Sequence, residues 1–174
     1  MCKIYKISFI VFILILYMTG IVYSSNHIDS KARSANIKGF HLFEKEQYHK
    51  SIEYFQKAIS IDKNFATAYN NLGSAYYQLK KYNKAIECYK KVIELDEYYI
   101  KAYVNLAASY FWKGEYRTAY FYYKKSRDMN QKYVEERVQA SGAKEKIEDK
   151  LDDNPEDTTL KNIYQYLIDL ESDK

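Results

Sequence analysis

The sequence repeats itself every 34 residues across three successive segments. Tyr48, Tyr82 and Tyr116 are one period apart, and so are Gly39, Gly73 and Ala107. The same spacing relates Leu42, Tyr76 and Tyr110, then Ser51, Ala85 and Ala119, then Phe55, Tyr89 and Tyr123. A fixed period of this length means a stack of similar supersecondary units rather than one globular core. A stack offers an extended surface and few convergent polar groups, which favours a binding device over a catalyst.

Within one period, Tyr69, Leu72, Gly73 and Tyr76 recur at intervals of three to four, which predicts an amphipathic helix from Ala66 to about Leu79. Lys80-Lys81 interrupts the apolar pattern. A second stripe follows through Tyr82, Ala85, Ile86, Tyr89, Val92, Ile93 and Leu95. Two helices joined by a short turn make an antiparallel hairpin, and neither can hide its apolar face alone. Small residues at Gly73, Ala107, Ala85 and Ala119 leave room for the rings of Tyr76, Tyr110, Tyr89 and Tyr123. Much of the tyrosine excess, 21 residues in all, is therefore packing. Scarce glycine and a single proline, Pro155, point the same way, to helix.

The order Tyr69, Leu72-Gly73, Tyr76, Ala85, Tyr89 and Val92 resembles the tetratricopeptide repeat. Residues 66–99 carry the pattern nearly in full, and residues 100–133 carry it through Tyr103, Leu106-Ala107, Tyr110, Tyr116, Ala119 and Tyr123. Residues 32–65 are a weaker copy, with Ala35 and Lys38 at the usual Tyr and Leu positions but Gly39, Leu42, Tyr48, Phe55 and Ala58 in place. The family's closing proline is replaced by Lys63, Glu97 and Gln131. The resemblance implies an all-α, right-handed superhelical solenoid: three hairpin units over 32–133, preceded by a linker at 25–31.

Beyond Tyr133 the period fades. Residues 134–174 read as a divergent helical hairpin that caps the stack or serves as a detachable interaction segment. One charged helix is expected from Val134 to about Lys150, then a second with Asn154 as its N-cap and Pro155 at its first position. Leu160, Ile163, Tyr164, Leu167, Ile168 and Leu170 give that helix its apolar stripe.

Charge is divided along the chain. Residues 25–133 hold 19 Lys/Arg against 11 Asp/Glu, a balance of +8, while residues 134–174 hold 6 against 12, a balance of −6. The C-terminal segment is thus expected to pack on the last repeat and to screen Lys101. The lysines are spread over both faces of the helices and form no arginine-rich stripe, so nucleic acid is not the expected partner.

At the N-terminus, Lys3 and Lys6 precede an apolar run from Ile7 to Met18, then Val22 and Ser24 at the −3 and −1 positions of a cleavage site. Residues 1–24 read as an export signal, either cleaved or retained as an anchor by residues 7–23. As a helix, 7–23 would span about 25 Å against a hydrocarbon core of ~30 Å. The expected location is the bacterial periplasm or cell envelope, soluble after cleavage or anchored to the inner membrane. Cys2 would leave with a cleaved signal, making Cys88 a lone thiol.

No catalytic constellation, metal site or cofactor is expected. His27, His41 and His49 lack ligand spacing, phosphate-binding Gly-rich loops are missing, and the Asp/Glu clusters lie in polar stretches. By resemblance, the first helix of each hairpin lines a concave groove, with Asn36, Phe40, Phe43, Asn70, Asn71, Ser74, Tyr77, Lys101, Val104, Asn105, Ala108, Phe111 and Trp112 as lining candidates. Asn amides suit the unpaired backbone of an extended peptide, and aromatics supply contact area. The family's clamp for a terminal carboxylate is matched only at Asn71 and Lys101; Asn36, Phe40 and Asn105 depart from it. The implied function is a non-enzymatic adaptor for a protein or peptide partner. The alternative is an anchored structural component that self-associates through stacked repeat ends.

Overall fold

The computed structural model describes residues 28–172, which form nine α-helices and no strand. The segment expected to be an export signal, Cys2, His27 and most of the expected linker lie outside the described residues. Among the described residues, no helix is long and apolar enough to cross a membrane.

The helices are α1 (Ser30–Glu44), α2 (Tyr48–Ile61), α3 (Ala66–Gln78), α4 (Tyr82–Leu95), α5 (Ile100–Trp112), α6 (Tyr116–Met129), α7 (Gln131–Ala140), α8 (Ala143–Asp153) and α9 (Thr158–Ser172). The first six pair as hairpins α1–α2, α3–α4 and α5–α6, and each hairpin packs on the next through α2–α3 and α4–α5. The chain is an all-helical solenoid. Its α1 begins two residues before the repeat boundary at Ala32, because Asp29 accepts hydrogen bonds from the backbone N–H groups of Lys31 (2.7 Å) and Ala32 (3.4 Å).

The three hairpin turns share one geometry. Glu46, Lys80 and Gly114, one period apart, all take positive φ, at 58°, 57° and 85°. Each turn is closed by a pair of backbone bonds: Glu46 N–H to Phe43 and Gln47 N–H to Leu42, repeated as Lys80 to Tyr77 with Lys81 to Tyr76, and Gly114 to Phe111 with Glu115 to Tyr110, all 2.8–2.9 Å. This is the Schellman termination, which satisfies the last carbonyls of the first helix. Between hairpins, where the family's proline is missing, Asp62 and Asp96 close the turn instead. Their Oδ1 atoms accept from the N–H groups of Asn64 (2.9 Å) and Tyr98 (3.0 Å).

Packing follows the small-against-ring pattern. A Cβ added to Gly39 would lie 2.7 Å from the Phe55 ring, and one added to Gly73 would lie 2.7 Å from the Tyr89 ring. Close helix approach here requires glycine. Phe55 and Tyr89 are buried, and Tyr89 joins Ala85, Ile86, Leu106, Tyr110 and Ala119 in one apolar cluster.

The C-terminal segment departs from the sequence expectation in two ways. Residues 134–150 do not form a single helix: α7 ends at Ala140, Gly142 turns with φ +60°, and α8 starts at Ala143. Gly142 takes a left-handed conformation that costs other residues energy, so the helix breaks there. The last helix is capped by Asp157 rather than Asn154. Asp157 Oδ1 accepts from the N–H groups of Thr159 (2.8 Å) and Leu160 (3.0 Å), leaving Pro155 in the preceding turn. The buried pair Ile147 and Leu160 holds α8 to α9 and, with Val138 and Ile163, rests on Phe111 and Tyr116 of the third hairpin.

Candidate functional site

A cavity of about 510 Å³ runs along the inner helices α1, α3 and α5. Eleven of the thirteen residues proposed from sequence line it: Phe40, Phe43, Asn71, Ser74, Tyr77, Lys101, Val104, Asn105, Ala108, Phe111 and Trp112. The i, i+3, i+4 spacing along each first helix brings them to one face. Phe40 and Trp112 remain partly exposed, whereas Asn36 and Asn70 do not reach the cavity and are buried. Asn70 lies one step round the helix from the lining residue Asn71.

Those two buried amides organise the floor. Asn105 Nδ2 donates to Asn70 Oδ1 (3.1 Å), Asn70 Nδ2 donates to Asn71 Oδ1 (3.4 Å), and Asn71 Nδ2 donates to Asn36 Oδ1 (3.0 Å). One hydrogen-bonded strip therefore joins all three inner helices, and Asn70, 1% exposed, is its middle member. A buried amide is tolerated only when so paired. The strip also holds the Asn71 and Asn105 side chains at the cavity wall. Beside it, Ser74 accepts from the Tyr89 hydroxyl (3.3 Å) while donating to the Asn70 carbonyl (3.0 Å).

The wall is mainly apolar and aromatic. Phe111 meets Trp112 edge-on with ring centroids 5.6 Å apart, and Tyr77 meets Tyr82 at 5.7 Å. Burial pushes the Tyr77 phenol up to about 12, Tyr82 adds to the rise, and hydrogen bonding with Trp112 opposes it. Tyr77 is thus a neutral hydrogen-bonding group at ordinary pH.

Several lining residues lie outside the first helices on which the sequence placed the groove. Tyr120 and Tyr123 come from α6, Arg137 and Val138 from α7, Lys146 and Ile147 from α8, and Ile163 from α9. The apolar stripe around Ile163 was the one sequence signal for this wall. Nor do the charges fall as expected. The residue of the acidic segment that meets Lys101 is a cation: burial, then the neighbouring Arg137, lowers the Lys101 pKa, although the side chain as a whole stays solvent-exposed. The carboxylates of α7 point elsewhere, Glu135 to Arg127 (3.4 Å) and Glu136 to Lys132 (4.0 Å). Local pairing, not net charge, decides which side chains face the groove.

Among the described residues, no group of three or more His, Cys, Asp or Glu is placed to hold a metal ion. Cys88 is a buried free thiol in contact with Phe55, Leu72 and Ala75.

Comparison with known proteins agrees with this geometry. The tetratricopeptide repeat family model matches residues 66–99, and a second TPR repeat model matches residues 39–80. No curated protein matches the chain in sequence. Among solved structures, the first TPR of Spaghetti (RPAP3) bound to HSP90 peptide SRMEEVD superposes with a TM-score of 0.58 at 21% identity, covering 84% of this chain and 98% of that one. The TPR2B domain of yeast Sti1, in a pHsp70 complex, gives 0.58 at 24% identity over 60% and 83%. MamA gives 0.56 at 31% identity over 59% and 56%, so this chain spans little more than half of it. By its repeats, its helical solenoid and these matches, the chain is a member of the tetratricopeptide-repeat family.

Proposed function

We propose that the chain is a non-enzymatic adaptor that holds an extended segment of a partner protein in the groove of α1, α3 and α5. The observation that carries this reading is the amide strip from Asn105 to Asn36, which sets Asn71 and Asn105 beside an aromatic cavity. An extended peptide has unpaired backbone groups for such amides and side chains for the aromatic wall. The Spaghetti and Sti1 domains, solved with HSP90 and Hsp70 partners, support a peptide as the occupant through their shared fold. The setting proposed is the cell envelope, on the strength of Lys3, Lys6 and the apolar run from Ile7 to Met18, whether that run is cleaved or retained.

A photo-crosslinking amino acid at Val104, in the full chain expressed in its own cells, tests the proposal. The expected result is a discrete adduct with another protein, missing when the same probe replaces Lys91 on α4. Adducts only between copies of the chain would favour the self-assembling alternative.

A further inference from the structure

Among the described residues, the cavity lining contains three cations, Lys101, Arg137 and Lys146, and no carboxylate, although the chain has 23 Asp/Glu. They come from three different helices, α5, α7 and α8, and two of them lie outside the repeats. Lys101 and Arg137 are close enough to repel, and the nearby acids Glu135 and Glu136 are engaged with Arg127 and Lys132. Lys146 is steered to this wall because its Nζ donates to the Ser141 carbonyl at the elbow before α8. Bringing like charges together without a counter-ion costs energy that an incoming anion would recover.

We infer that Lys101, Arg137 and Lys146 form a subsite for acidic side chains, so that the groove selects peptides pairing apolar residues with a short Asp/Glu run. The inference rests on the peptide-groove reading above. Three cations exceed the charge of one carboxylate, which favours an acidic run over a lone chain terminus. Phe111 and Trp112 lie on the same lining and receive the apolar residues, so both recognition elements engage one short segment. The helices that end the solenoid thus complete a charge-reading wall that the repeats lack.

The test is selection of a random heptapeptide display library, in free-acid and C-terminally amidated forms, against the full chain and against its R137Q/K146Q double variant. A K101Q variant is included, and far-UV circular dichroism melts confirm folding. The expected result is enrichment of apolar residues together with Asp/Glu, in both peptide forms. In the double variant the apolar preference persists, the acidic enrichment disappears, and the acidic peptide binds about tenfold more weakly. Apolar enrichment without acids, or acidic enrichment unchanged by both variants, overturns the subsite but leaves the groove reading standing. Enrichment that requires the free C-terminus assigns the cations to a chain terminus and overturns the acidic-run assignment. No enrichment of any peptide overturns the groove reading, and the subsite with it.

Discussion

Replacing Gly73 by alanine sets two opposed effects of similar size against each other. Alanine in a helix interior is favoured over glycine by about 1 kcal/mol. Here the new Cβ would lie 2.7 Å from the Tyr89 Cε1 atom and 2.9 Å from Cζ, well inside contact distance. Tyr89 is 1% exposed, packed against Leu106 and Tyr110, and hydrogen-bonded to Ser74, so its ring has little room to retreat. Overpacking of this kind costs about 1–3 kcal/mol. Taking the middle of that range and subtracting the propensity gain leaves a net loss of about 1 kcal/mol. The third hairpin supplies an internal control, since Ala107 already occupies the equivalent position opposite Tyr123. Ala107→Gly should therefore destabilise by at least the propensity loss of about 1 kcal/mol, with the loss of a buried methyl added to it. Urea denaturation followed by helical circular dichroism measures both variants against the parent. A Gly73→Ala protein more stable than the parent by the full propensity gain would refute the steric reasoning.

Three further outcomes are expected. Glu46→Gly and Lys80→Gly relieve left-handed backbone that costs a side chain about 1–2 kcal/mol, offset by glycine's entropy of about 0.5–1 kcal/mol, so each should raise the denaturation midpoint while Gly114→Ala lowers it; a lowered midpoint for both glycine variants would contradict the turn geometry. Asn70→Leu removes the middle of the buried strip and should cost about 1–3 kcal/mol, because the Asn71 and Asn105 amides each lose a partner; an unchanged melt would show that the strip is inert. Burial pushes the Cys88 thiol up to about 12, so the native chain should resist thiol-specific disulfide reagents at pH 8 and react on unfolding. Because that pKa is raised above its ordinary 9.0, the linked stability is complete below pH 9 and is lost as pH climbs towards 12, which pH-dependent denaturation would reveal.

The hairpins were legible because periodicity records packing directly. Tyr48, Tyr82 and Tyr116 each begin the second helix of a hairpin, and Lys80-Lys81 lies at a turn. What the period could not show was a difference of one residue in facing. Asn70 lies one position before the lining amide Asn71, and a single step of about 100° turns it from the cavity to the interior. Beyond residue 133 there was no period to follow. A lone Gly142 ends α7, and Asp157 outcompetes Asn154 because its carboxylate reaches two N–H groups of the next helix. Net charge was a poor guide to the C-terminal wall. A segment with twice as many acids as bases still turns Arg137 and Lys146 inward, while Glu135 and Glu136 beside Arg137 find partners along α6 and α7.

The amide strip also carries information about how long the array is. Each rung runs from one position of a hairpin to the preceding position of the hairpin before it, with Asn70 and Asn71 supplying both in the middle unit. The first hairpin has Asn36 to accept but Ile37 where a donor would stand; the third has Asn105 to donate but Val104 where an acceptor would stand. Neither end leaves an amide reaching for a hairpin that is not there. Two copies abutted head to tail would meet isoleucine against valine at the junction, so a continuous filament would lack this rung at every seam.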